Sequence, residues 1–214
     1  MDRESETLKF LERDFTQCFG YLRYYDQQMW LVSKFTFTAY SSLLGVSLGI
    51  YKYTADNNVD LTIAVTAALA TGTFVGFFMF GMLVRNRVYF VTIARYINAH
   101  RKHYFSLDPA VASFATGFYD NPDYPRFFNL FSSHAILSYV VAILNSILVL
   151  TILLLNLFTY PRIVTFSIAL PLLVFLLHVV PASLYLWTRE KKTAVGAVFG
   201  HTSRRSIIEH NSSS

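Results

Sequence analysis

The sequence predicts an all-α integral membrane protein. Its expected parts are four transmembrane helices in two hairpins, an N-terminal amphipathic helix and a cytosolic helical extension of span two. Three observations carry this. Four long stretches hold no charge: Phe35–Tyr51, Leu61–Val84, Phe127–Pro161 and Ile163–Thr188. The 214 residues are 54% hydrophobic and only 14% charged, against about 25% charged in a typical soluble domain. All of the 18 Lys and Arg except Lys52 and Arg162 fall before the first run, between the second and third, or after the fourth.

A helix needs about 20 mostly apolar residues to cross a hydrocarbon core roughly 30 Å thick. The expected spans are about 35–53, 61–84, 133–160 and 163–188, inside a membrane domain at 34–188. The first reaches full length once Lys52 snorkels its ammonium to the interface. Positive charge concentrates on the cytoplasmic side of membrane proteins. Both termini and the central loop, 85–132, are therefore expected inside, in a plasma or inner membrane. Trp30, Tyr89 and Trp187 mark the inner interface, and Tyr51, Tyr53 and Tyr160 the outer one. No apolar segment precedes Lys34, so the first span reads as an uncleaved signal anchor. With Cys18 as the single cysteine, an intrachain disulfide is excluded.

Residues 1–33 place Leu8, Leu11, Phe15, Phe19, Leu22 and Met29 at helical spacing, opposite Lys9, Glu12, Arg13 and Asp14. This is an amphipathic helix, with Gly20 as a candidate end or kink. Ala55-Asp56-Asn57-Asn58 makes the first turn, and Pro161 stands at the tip of the second hairpin. Pro109 and Asp120-Asn121-Pro122-Asp123-Tyr124-Pro125 break the central loop. The tail at 189–214 is basic and reads as partly disordered.

Small residues recur every four positions in the first two spans, at Ser41, Gly45 and Gly49 and at Ala64, Ala68, Gly72 and Gly76. Lipid chains are as apolar as leucine, so helices in a bilayer associate through close backbone packing and hydrogen bonds. The ladders therefore mark either a homo-oligomer interface or the contact between the two helices of one hairpin. Span three carries His134, Ser138, Asn145 and Asn156 within about 40° of one another at 100° per residue. Such a stripe lines a pore in an oligomer or bonds one helix to the next. In span four, Pro171 and Pro181 are kink candidates, and His178 is an ionisable group inside the membrane, a functional candidate by default.

Beyond Arg85 the helix of span two is expected to continue into the cytosol, with Arg87, Arg95, Asn98 and Lys102 within about 80° of one another. That face suits inner-leaflet phosphates, an anionic ligand or an acidic protein partner; its plainer meaning is positive-inside charge on a solvated helix.

Enzyme chemistry finds no footing. His100 and His103 form an H-x-x-H pair, but the other four histidines stand apart and no carboxylates cluster to complete a metal centre. There is no G-x-S-x-G elbow and no Gly-rich phosphate loop. No catalytic residue, cofactor, metal or nucleic-acid module is expected. Expected partners are membrane lipids, further copies of the chain, and a cytosolic protein or anionic ligand. The expected function is an oligomer that forms a pore or perturbs the membrane in response to a cytosolic ligand or partner; the alternative is a non-conducting membrane adaptor that recruits a soluble partner. No motif identifies a family.

Overall fold

The computed structural model describes residues 3–57, 59–107, 120–157 and 169–195. Pro109, the second hairpin tip at Pro161, the first residues of the fourth span and the tail beyond 195 lie outside the described residues. Four helices make up the fold: α1 (Arg3–Asn57), α2 (Thr62–Leu107), α3 (Ser133–Leu157) and α4 (Ala169–Val195). No strand occurs among the described residues.

α2, α3 and α4 are long and apolar enough to cross a membrane. α1 does not meet that measure. Its uncharged run is diluted by Thr36, Thr38, Ser41, Ser42, Gly45, Ser47 and Gly49. Five hydroxyls of α1 turn back on the helix, with Thr16, Ser33, Thr36, Ser47 and Thr54 each donating to the carbonyl four residues earlier. This is the cheapest way to keep a hydroxyl in an apolar setting.

α1 is one uninterrupted helix of 55 residues, passing through Gly20 and Lys34 without a break. No break therefore separates residues 3–33 from the expected first span. A lone glycine costs a helix only about 1 kcal/mol, and no proline stands between Arg3 and Asn57 to remove a backbone bond. At 1.5 Å per residue α1 is about 80 Å long and α2, with 46 residues, about 70 Å. Both far exceed the roughly 30 Å of a hydrocarbon core. They run antiparallel over most of that length: Gly72 approaches Leu43, Tyr89 stacks on Tyr25, and Tyr96 bonds Asp14.

α3 packs against α2, and α4 against α3. The apolar core forms two layers. Met29, Val32, Phe80, Leu83, Val141 and Ala142 make one; Tyr40, Val65, Leu69 and Leu148 make the other. Outward faces of α2, α3 and α4 carry Ile63, Phe74, Phe78, Ile143, Leu154 and Leu172. An apolar exterior wrapped around an apolar core is the arrangement that lipid solvates. Pro181 lies inside α4, and Pro171 stands near the beginning of its described residues.

Candidate functional site

The polar centre lies between the two apolar layers. Asn145 of α3 is 0% exposed, and all its hydrogen-bonding groups are engaged across helix boundaries. Its Oδ1 accepts from the Tyr40 hydroxyl of α1. Its Nδ2 donates to the Thr73 carbonyl of α2 at 3.2 Å and to His178 Nε2 of α4 at 2.8 Å. His178 Nδ1 in turn donates to the Val174 carbonyl at 2.7 Å. That bond fixes the tautomer, because Nδ1 carries the hydrogen and leaves Nε2 as the acceptor the amide needs. Phe77 stacks on the imidazole at 4.0 Å and Phe80 meets it edge-on at 4.8 Å. One amide thus ties all four helices together.

The glycines of α2 make room for this centre. A Cβ on Gly76 would run into the Tyr40 hydroxyl and the Asn145 amide, and one on Gly72 would strike Leu43. Ala64 and Ala68, earlier in the same ladder, face outward. In α1, Ser41, Gly45 and Gly49 are exposed, and open space surrounds both glycines. The two ladders do not meet: only the Gly72–Gly76 part packs inside the chain.

The rest of the α3 stripe also serves local contacts. Asn156 Nδ2 reaches Thr66 Oγ1 of α2 at 3.0 Å and the Ile152 carbonyl at 2.8 Å. Ser138 donates to the His134 carbonyl at 3.0 Å. His134 Nε2 lies 3.3 Å from Asp26 Oδ1 of α1, with Phe90 against its ring.

The basic face of α2 is spent on the segment that precedes α3. Arg87 donates to the Arg126 carbonyl at 2.6 Å. Arg95 donates through Nε to the Pro125 carbonyl at 2.8 Å, pairs with Glu190 of α4 at 2.6 Å and covers the Phe127 ring at 4.6 Å. Glu190 uses its second oxygen to accept the Phe127 N–H at 2.6 Å. Asn98 donates to the Asn121 and Tyr124 carbonyls. Arg87, Arg95 and Asn98 are each 7% exposed, whereas Lys102 points to solvent. Three of the four residues expected to receive a ligand therefore hold residues 121–127 in place, and Lys102 stands apart from them.

Farther along α1 and α2, Tyr96 donates to Asp14, His100 lies 3.9 Å from the same carboxylate, and Arg101 lies over Phe15 and Phe19. Cys18 sits in this region, its thiol held above the usual range by burial first and by Asp14 second. That favours the inert thiol over the reactive thiolate. No group of His, Cys, Asp and Glu able to hold a metal occurs among the described residues. Beside Arg87 and His134, α2, α3, α4 and residues 127–132 line a partly open cavity of about 40 Å³, room for a water.

Compared with protein-family models, curated proteins and solved structures, the chain matches none. Its function is argued from the residues alone.

Tyr40, Asp26 and Glu190 are the site residues that sequence reasoning missed. Tyr40 carries no signal in the sequence beyond its place in an uncharged run, and it is the buried donor to Asn145. Asp26 and Glu190 find their partners 108 and 95 positions away, a separation no local periodicity reports.

Proposed function

We propose that this protein is a non-conducting membrane adaptor whose α1–α2 pair forms a rigid stalk on the cytoplasmic side, where it holds a soluble partner. The observation that carries the reading is that pair itself. Two helices far longer than a bilayer is thick stay joined beyond it by Asp14, Tyr96, His100 and the Arg101–Phe15–Phe19 stack. A solvated stalk with exposed Glu12, Arg13, Arg23, Lys102 and His103 is a surface for protein contact.

In this reading α1 is the fourth span, crossing at about 35–53, and both termini are cytoplasmic. Its support is depth: Tyr40 and Leu43 pack beside Gly76 and Gly72, in the apolar stretch of α2. A helix bound antiparallel to a spanning helix at that level spans with it. The exposed Ser41, Gly45 and Gly49 give α1 a small-residue face on which a second copy assembles.

The pore reading drew on the α3 stripe, and the burial of Asn145 removes that support. An amide with every bond made inside one chain has none left for permeating ions. Reconstitution into liposomes tests the choice. Wild-type protein is expected to give no ion flux, while a photo-crosslinker at position 102, introduced in cells, forms adducts with a soluble protein. Flux that changes in Asn145→Leu with the assembly intact would restore the pore.

A further inference from the structure

We propose that the end of the bundle where α1 enters it carries a binding belt for anionic phospholipid headgroups, built from cation–aromatic pairs on its outer surface. Internal contacts fix the level of this belt. Tyr25 stacks on Tyr89, Asp26 meets His134, Val32 shares a core layer with Leu83, and Glu190 binds the Phe127 N–H. Four chain segments are thereby held at one height.

At that height the outward side chains repeat one chemistry. On α2, Arg85 reaches one turn forward to Tyr89, its Nε 3.1 Å from the hydroxyl and its guanidinium 5.3 Å from the ring centre. On α4, Lys191 Nζ lies 3.6 Å over the Trp187 ring, and Arg189 lies 5.4 Å from Tyr185. Trp30 and Lys34 stand exposed at the same spacing on α1. At the start of α3, Phe131 is 88% exposed, beside exposed Leu130.

Rings of this kind settle at the boundary between headgroups and acyl chains. A cation held over a ring face keeps its remaining N–H donors directed away from the ring. Together they present donors at phosphate height with an apolar wedge below them.

Charge decides the occupant. Of the two carboxylates at this level, Glu190 is held by Arg95 and the Phe127 N–H, and Asp26, half-exposed, lies against His134. The outer surface therefore sets Lys34, Arg85 and Lys191 against one half-exposed carboxylate, a net positive charge complementary to an acidic lipid and indifferent to a zwitterionic one. Arg87 and Arg95, which look equivalent in the sequence, are enclosed and take no part.

This inference rests on the membrane reading, and the test separates the two. The full chain, purified in mild detergent, is offered equal phosphatidylglycerol and phosphatidylcholine, and the lipid retained is counted by native mass spectrometry. Wild type should prefer phosphatidylglycerol. Arg85→Gln/Lys191→Gln should lower that preference by about fivefold for each cation removed. Arg85→Lys/Lys191→Arg should keep it, and millimolar inorganic phosphate should not displace the lipid. Arg87→Gln, which loosens the loop, should leave it unchanged. Equal retention of both lipids, an unaltered preference in the double glutamine variant, or displacement by inorganic phosphate would each overturn the belt. Release of the chain from membranes by alkaline carbonate would overturn the membrane reading instead.

Discussion

Asn145 has an acceptor and two donors to satisfy, and Tyr40, Thr73 and His178 satisfy them at 0% exposure. A single interhelical bond in a bilayer is worth only about 0.6 kcal/mol, but stranding its buried partners costs more. Asn145→Leu is therefore expected to destabilise the bundle by about 2 kcal/mol, read from unfolding of the detergent-solubilised protein; an unchanged midpoint would argue against the network. The sequence marked Asn145 and His178 as polar groups in need of partners but did not pair them, because helix periodicity fixes a face and not what lies opposite. At the other end of the scale, Asp60 accepts the Thr62 N–H at 2.9 Å, and this bond holds its carboxyl below the ordinary aspartate range. A depressed pKa contributes stability above the unfolded value that is lost as pH falls through the folded one. Protection of the Thr62 amide, taken relative to its intrinsic exchange rate, should accordingly fall under acid conditions, and Asp60→Asn, which keeps an acceptor, should flatten that dependence.

Among the elements, those that follow from periodicity and charge were legible: three apolar helices and the long extension of α2; the turn expected at Ala55-Asp56-Asn57-Asn58 was not, since α1 stays helical through Asn57. What escaped was the continuity of α1. Gly20 and the charge boundary at Lys34 look like ends in a one-dimensional reading, yet packing against α2 on both sides carries the helix through. The basic face of α2 shows the same limit. Arg87, Arg95 and Asn98 were rightly grouped, but residues 121–127 supply their acceptors, and a turn-rich segment gives no advance sign of where it folds back. Arg95 uses two edges of its guanidinium at once, on Pro125 and on Glu190. Arg95→Ala should cost about 3 kcal/mol by leaving Glu190 short of a partner. It should also expose residues 120–132 to limited proteolysis. Arg95→Lys should fail to rescue it, since a point ammonium does not span both acceptors. Wild-type protease resistance in Arg95→Ala would mean the clasp is dispensable.

For the molecule as a whole, the account is a closed membrane bundle that displays a helical stalk. The outward ladder of α1 bears on assembly: Gly45→Leu, placed in open space, should leave folding intact while breaking the oligomer in native mass measurements, whereas Gly76→Leu should unfold the chain. Normal assembly in Gly45→Leu would send the interface elsewhere. Closure is the central claim, and thiol accessibility along α3 addresses it directly. In a Cys18→Ser background, single cysteines at Ser138, Asn145, Leu154 and Asn156 would be challenged in intact membranes with an impermeant reagent, and Lys102→Cys in opened vesicles would serve as the positive control. The account predicts rapid labelling at 102 and none at the α3 positions. Labelling at 138, 145 and 156 with the outward-facing 154 protected would reveal an aqueous lumen along the polar stripe and contradict it.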